Sequence, residues 1–262
     1  MPMGRRHFSL LKKLRDWPIC CNLAVSNNKS EIMRKKLVIS TGAGMSAESG
    51  ISTFRDHDGL WENYDVMDVA SADGFRRNPK LIHDFYNARR RELVKANPNA
   101  GHVGLVELEK WYDTYIITQN VDNLHERAGS KNVLHLHGEL MKIRSLAHPE
   151  LVYELTPDNL ETSVETVDRY GDHVRPHIVF FQEAVPNIEP AIELASQADI
   201  FVVIGTSMVV YPAAALLNYV RPGVPVYYID PNPAAVPSNV TVLKEPATRG
   251  VADLIELLRP KN

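Results

Sequence analysis

The sequence predicts an α/β fold, a parallel and doubly wound sheet with helices on both faces, plus a small accessory lobe. Three observations carry that reading. Short β-branched runs alternate with helical patterns along most of the 262 residues. Several runs are apolar without interruption, as strands covered on both faces are. The first of them, Leu37-Val38-Ile39, leads straight into Gly42-Ala43-Gly44, where such a sheet places a phosphate-binding turn.

Residues 1 to 34 stand apart from that pattern. Arg5, Arg6, Lys12, Lys13 and Arg15 cluster around Asp16 in the manner of a basic amphipathic leader. Met33, however, directly precedes "RKKLVISTGAG". We read 1–34 as an N-terminal extension, disordered or from a misassigned start, and 35–262 as the folded domain. Strands are expected at 37–41, 115–119, 133–136, 178–181, 200–204, 226–229 and 240–243. Helices are expected at 79–95, with Asn78 as cap and Pro79 in first position, and at 101–112, 121–128, 187–197, 212–220 and 250–259. Stretches 52–100 and 139–176 do not fit a simple alternation and are assigned to the accessory lobe.

With 29 basic and 32 acidic residues the formal charge is −3, so no general nucleic-acid or membrane-surface binding is expected. An anionic ligand must therefore be held locally. The two cysteines, Cys20 and Cys21, are adjacent. They can build neither a disulfide framework nor a four-cysteine zinc site, and the expected compartment is reducing and cytoplasmic. No apolar run reaches the roughly 18 residues that span a bilayer. Nothing in the sequence sets an oligomeric state.

Four clusters carry chemistry. "STGAGMSAESGISTFRD" opens as a G-x-G-x-x-A turn, yet Ser46, Glu48, Ser49 and Gly50 break the helix that should follow. "TQNVDNLHERAG" places Gln119, Asn120, Asp122 and Asn123 at the carboxyl end of a buried strand, where open α/β sheets bind ligands. One of Asn120 and Asp122 is expected to cap the next helix, and His125 to be structural. "VLHLHGEL" puts His135 and His137 on one face by the period of two, with Gly138 for close approach. His137, beside that glycine, is the better general base. "VVIGTSMVVYP" offers Gly205, Thr206 and Ser207 to a phosphate or ribose.

Taken in order, GAGMSAESGISTFR, TQNVDNLH, HLHG and GTS resemble the sirtuin family of NAD-dependent protein deacylases over about residues 35 to 260. The resemblance implies NAD as cofactor and acyl-lysine proteins or peptides as partners. It assigns Gly42, Ala43 and Gly44 to the pyrophosphate, and Phe54 and Arg55 to a mobile cofactor loop. Gln119 goes to the nicotinamide ribose, and Asn120 and Asp122 to the nicotinamide pocket. Gly205, Thr206 and Ser207 fall to the phosphates or the adenosine ribose, and Asp230 to the adenosine side, where many relatives carry Asn. In the family's reaction the acyl oxygen attacks C1′ of the nicotinamide ribose and nicotinamide leaves. A base in the position of His137 then frees a ribose hydroxyl, giving lysine and O-acyl-ADP-ribose. Val179 and Phe181 flank the edge where the peptide would add as a strand.

Departures from the family pattern matter equally. Residues 139–176 lack the four cysteines that hold a structural zinc in most sirtuins, so no zinc is expected. Apolar packing by Leu140, Ile143, Leu151, Val152 and Leu155 is expected to replace it. Ser52 and Gln182 stand where proline and glycine are usual, and Gln182 puts the seat of the peptide backbone in question. On the helix 79–95, Tyr86 and Arg89 share a face, with Leu81 and Phe85 beside them. Tyr-x-x-Arg there resembles the desuccinylase branch, which implies succinyl- or malonyl-lysine alongside acetyl-lysine, with Ala70 leaving room. The bland alternative is a solvated face continued by Arg90 and Arg91. ADP-ribosyl transfer and a non-catalytic NAD sensor are the competing functions.

Overall fold

The computed structural model describes residues 34–51, 64–207 and 213–260. Among them lies a six-stranded parallel sheet in the order β3-β2-β1-β7-β8-β9. Its strands are β1 (Lys36–Thr41), β2 (Asp113–Thr118), β3 (Val133–His135), β7 (Ile200–Ile204), β8 (Val226–Ile229) and β9 (Val240–Leu243). The chain runs outward from β1 through β2 to β3, then returns beside β1 as β7 and runs outward the other way. That reversal opens a crevice at the carboxyl ends of β1 and β7. In-register pairing of Thr41 with both Thr118 and Ile204 levels the three central strand ends. The expected Rossmann-like sheet is therefore present.

Helices α5 (Ala100–Leu108) and α8 (Ala247–Leu258) cover one face. Leu37, Ile39, Leu105, Ile116, Val202, Val251 and Leu254 close that core. Helix α7 (Ile188–Gln197) and a 3-10 helix, Ala213–Tyr219, cover the other face over Val38, Ile117, Phe201, Val203 and Tyr228. The central strands alternate nothing because both of their faces are buried.

The accessory lobe has its own sheet, β5-β4-β6, built of β4 (Gly138–Ser145), β5 (Val152–Glu154) and β6 (Val174–Ile178) and antiparallel throughout. The strand expected at 178–181 is thus corrected: it ends at Ile178 and belongs to this lobe, not to the parallel sheet. Beyond it only Phe181 bridges, pairing with Ser71. The segment expected as a helix at 212–220 is a 3-10 helix. The expected 101–112 stops at Leu108, and the helix expected at 121–128 is α6 (Leu124–Ala128), shortened by the polar loop before it. Leu140 and Ile143 are buried as expected, whereas Val152 is 38% exposed on the edge strand and packs no core.

Short helices α1 (Gly44–Ala47), α2 (Val66–Val69) and α3 (Ala72–Arg77) precede the long α4 (Pro79–Lys95). Asn78 caps α4 through Leu81 N–H at 3.1 Å, with Pro79 at the first position. Helix α4 joins the lobe through a buried polar seam. Asn87 Nδ2 donates to Thr162 O at 2.7 Å, and Thr162 N–H returns to Asn87 Oδ1 at 3.0 Å. Arg90, fully buried, donates to Leu140 O at 2.8 Å and to Thr162 Oγ1 at 3.2 Å. Arg90 is therefore no part of a solvated face; Arg91, exposed and paired with Glu161, is. Among the described residues no helix is long and apolar enough to cross a membrane.

Three fully packed histidines make the fold acid-sensitive. Burial lowers the pKa of His83 and of His102 to about 4 and that of His125 well below its ordinary 6.5. Each is favoured neutral in the fold, so its stabilisation is whole above pH 6.5 and is lost as pH falls toward the folded value. His135, whose pKa is raised, acts in the opposite sense. We expect unfolding free energy to fall between pH 6.5 and pH 4, by up to about 1.4 kcal/mol per pH unit for each histidine. Urea titrations across that range check it; a flat profile would contradict the assignment.

Candidate active site

The site is built where β1, β2, β7 and β8 end. After β1, Gly42 and Gly44 lie against the turn after β7. A Cβ on Gly42 would sit 2.7 Å from Gly205 O, and one on Gly44 would sit 2.7 Å from Gly205 Cα. Only glycine lets the two turns meet. Their amides are used in that contact, Gly42 N–H to Ile204 O at 2.9 Å and Gly44 N–H to Gly205 O at 2.8 Å. Ala43 lies between them, and Thr206 and Ser207 continue the β7 turn. Asp230, buried, follows β8 and accepts Asn232 N–H at 2.8 Å. Phe54 and Arg55 lie outside the described residues.

A buried polar network joins the first two sequence clusters. Ser46 Oγ donates to Asp122 Oδ2 at 2.9 Å and accepts from Asn120 Nδ2 at 3.1 Å. His102 Nε2 stands 3.5 Å from the same hydroxyl. Because His102 Nδ1 takes Asn99 N–H in a capping box, its Nε2 carries the proton that faces Ser46. Asp122 also accepts Leu124 N–H at 3.1 Å, the first amide of α6, but the cap position itself is held by Asn123, whose side chain makes no cap bond, so the cap expected at Asn120 or Asp122 is corrected. Burial raises the pKa of Asp122 against the pull of the Leu124 and Ser46 bonds. Ser46 is the residue that sequence reasoning missed, having marked it only as a helix interruption. One turn of α1 aims it inward.

His125 is structural, as expected: fully buried, with Nε2 3.1 Å from Thr41 Oγ1, whose own proton goes to Thr118 Oγ1. This arrangement fixes the ends of β1 and β2 beneath the polar loop.

The two histidines of "HLHG" both hold that loop. His137 Nδ1 lies 3.0 Å from Gln119 O and His135 Nδ1 lies 3.0 Å from Asn120 O. A carbonyl partner requires a donor, so Nδ1 bears hydrogen in each ring and His137 Nε2 is its basic nitrogen. Burial lowers the pKa of His137, with the Gln119 bond opposing, so the ring is neutral at pH 7. His135 differs because its Nε2 lies 2.7 Å from Glu126 Oε1. Burial would lower its pKa, but the bond and charge of Glu126 outweigh it and raise it. Gly138, at φ +82, brings the chain onto β6 so closely that a Cβ would fall 2.0 Å from His177 O. That contact fixes the depth of His137. Gln119 reaches across the crevice to Thr206 Oγ1 at 3.2 Å.

Tyr86 and Arg89 lie beside this centre. Tyr86 is 3% exposed, packed edge-on to Phe85 and stacked on Phe180, and burial raises its phenol pKa to about 12. Arg89 crosses the Phe85 ring at 5.7 Å. Desolvation lowers its pKa, while Tyr86, Glu92 and Asp122 lie within electrostatic reach and favour its charge. Val179 N–H bonds His137 O at 3.0 Å, and Phe181 stands 45% exposed on the rim. Ala70, buried, accepts Phe181 N–H at 2.8 Å.

Among the described residues, Glu126, His135 and Glu139 bring ligand-type atoms within 4.8 Å of one another. Direct bonds occupy those atoms, His135 to Glu126 and Glu139 to Lys142 at 2.7 Å.

Comparison with known proteins shows the family. The Sir2 family model matches residues 42–212. An NAD-dependent protein deacylase of Bacteroides thetaiotaomicron is 52% identical over 231 residues, covering 86% of this chain and 99% of that protein. One from Helicobacter pylori is 50% identical, covering 86% and 97%. The structure of a Sir2 homologue in complex with NAD superposes at a TM-score of 0.77 with 35% identity, over 86% of this chain and 90% of that one. A Sir2 protein bound to an acetylated peptide superposes at 0.72 with 30% identity, over 86% and 93%. By sequence and by fold, this chain belongs to the Sir2 family.

Proposed function

We propose that the protein removes acyl groups from protein lysines with NAD, in a reducing, cytoplasmic compartment, and that acidic acyl groups are among its substrates. The observation that carries the reaction is His137, a half-buried neutral imidazole whose Nε2 is basic, set beside the Asn120–Ser46–Asp122 network. Relatives of known name and the NAD-bound homologue support the cofactor.

The residues at the strand ends suit a dinucleotide. Gln119 and Asp230 offer acceptors for ribose hydroxyls, Thr206 and Ser207 offer hydroxyl donors, and Gly42, Ala43, Gly44 and Gly205 keep the crevice floor free of bulk. When bound, NAD supplies the leaving group, nicotinamide, and the ribose hydroxyl that receives the acyl group. Asn120 and Asp122, locked by Ser46, orient the nicotinamide end. His137 Nε2 accepts the hydroxyl proton while Gln119 O holds Nδ1–H, so the imidazolium that forms keeps a partner. Val179 and Phe181 seat the peptide, and burial around Tyr86 and Phe180 excludes water.

Arg89 and Tyr86 support the acyl preference. A guanidinium that has lost much of its hydration gains from a carboxylate ligand, which it grips in a fork while the phenol adds a hydrogen bond. Ala70, small and buried at the rim, leaves length for succinyl or malonyl. The lobe is read as zinc-free, since no cysteine follows Cys21.

Mass spectrometry of products from NAD and a panel of acyl-lysine peptides tests the reaction. O-acyl-ADP-ribose is expected; ADP-ribosylated protein, or no turnover, would overturn it. His137→Ala should lower turnover by about 10²–10⁴-fold with NAD affinity retained. In the unmodified protein, protonating His137 removes the base, so the acid limb of kcat/KM should have its midpoint below pH 6.5. Arg89→Met should cost succinyl-lysine roughly 10- to 150-fold in kcat/KM and spare acetyl-lysine. Equal loss on both substrates would return Arg89 to a structural role. Finally, chelator treatment of the purified protein should change neither activity nor melting temperature, and one tightly held zinc per chain would refute the zinc-free lobe.

A further inference from the structure

Gln182 is the only non-glycine with positive φ among the described residues, at +76°. It occupies the third position of a turn closed by Glu183 N–H to Phe180 O at 3.0 Å, where a left-handed conformation favours glycine. Its side chain accounts for the exception. Gln182 Nε2 donates to Asp73 Oδ2 at 2.7 Å, and Asp73 N–H donates to Gln182 Oε1 at 3.1 Å. This two-bond clasp fastens the turn to the first residues of α3.

Between the clasp and the lobe lies the seat assigned to the peptide. Phe181 N–H bonds Ala70 O at 2.8 Å and Ala72 N–H bonds Phe181 O at 3.1 Å. Glu183 grips the turn from the other side, accepting Phe180 N–H at 2.8 Å and Arg175 Nη1 at 2.5 Å. Arg175 lies over the Phe180 ring at 3.8 Å, and Phe180 stacks on Tyr86. The turn is thus connected to the acyl-facing helix on one side and clasped to α3 on the other. Turn stability alone would be served by glycine, without strain. A residue that accepts the strain in order to reach Asp73 fixes the spacing of Phe181 against Ala70–Ala72.

We propose that Gln182 is a positioning residue for the acyl-peptide, holding its seat through the Asp73 clasp, so that peptide affinity and not the chemical step depends on it. The proposal rests on the deacylase reading above. Both groups are exposed, which keeps the expected effect at about 2- to 10-fold.

The test is steady-state kinetics of the full chain with acetyl- and succinyl-lysine peptides, together with amide exchange at Ala72 and Phe181. Gln182→Gly and Asp73→Ala should each raise peptide KM by that factor, leave kcat and the KM for NAD unchanged, and speed exchange at both amides. Gln182→Gly should leave thermal stability little changed because it relieves the strained φ. Asp73→Asn, which keeps the side-chain acceptor, should restore the KM. The double variant should be no worse than either single one. Unchanged KM in Gln182→Gly, a matching fall in kcat, or multiplied effects in the double variant would overturn the proposal. If the unmodified protein turns over no acyl-peptide, the deacylase reading fails, and unchanged exchange in the variants separately sinks the clasp.

Discussion

The Ser46 hydroxyl is the contact on which the rest of the centre depends. It donates to the Asp122 carboxylate, accepts from the Asn120 amide and faces the Nε2 proton of His102. Three elements therefore meet at one oxygen: the helical turn after β1, the loop after β2 and the capped start of α5. Each partner is buried, so removing the hydroxyl takes one bond from Asp122 Oδ2 and one from Asn120 Nδ2, at about 1–3 kcal/mol apiece, while Asp122 Oδ1 keeps Leu124 N–H. His102 cannot take over as acceptor, because its free proton points the wrong way. The parallel sheet brings the loops together, and this node decides how they face.

His135 and His137 extend the same logic outward. They hold adjacent carbonyls, Asn120 O and Gln119 O, from the next strand over. Glu126 shifts one ring, which anchors the loop, toward its charged form, while burial favours the neutral form of the other, whose Nε2 is its basic nitrogen. Two residues of one type, two apart, thus acquire opposite pKa shifts through a single neighbouring carboxylate.

Much of this was legible in the sequence, for physical reasons. β1, β7 and β8 are apolar runs because helices cover both of their faces, and a continuous run is hard to mistake. The polar clusters after them stood out against those runs. β4 was hidden because it alternates irregularly, slipping register between Gly138 and Ile143, and because β5 beside it has only three residues. The role of Ser46 was hidden for another reason: its partners are 74 and 76 residues away, and no local pattern marks such a contact. Arg90 misled in the same way. Its neighbours Arg89 and Arg91 suggested a solvated stripe, whereas its bonds run 50 and 72 residues along the chain.

That arginine also shows how the lobe is closed. Thr162 is gripped by three residues of one helix, His83 at 2.8 Å, Asn87 and Arg90, and all four residues are buried. A buried cation without an opposed carboxylate is costly, and here carbonyls and a hydroxyl answer it, with burial lowering the pKa of Arg90 to about 10. The seam is therefore specific: an apolar side chain at 162 would take from His83 Nδ1 and Arg90 Nη1 the hydroxyl they share. It also fixes the rotation of α4. Arg89 follows one residue earlier, about 100° around the helix, so the bonds that turn Arg90 into the lobe set the direction in which Arg89 leaves, toward Tyr86 and Asp122. The Tyr86–Arg89 face of α4 is in this sense positioned from behind, by the polar seam of the lobe.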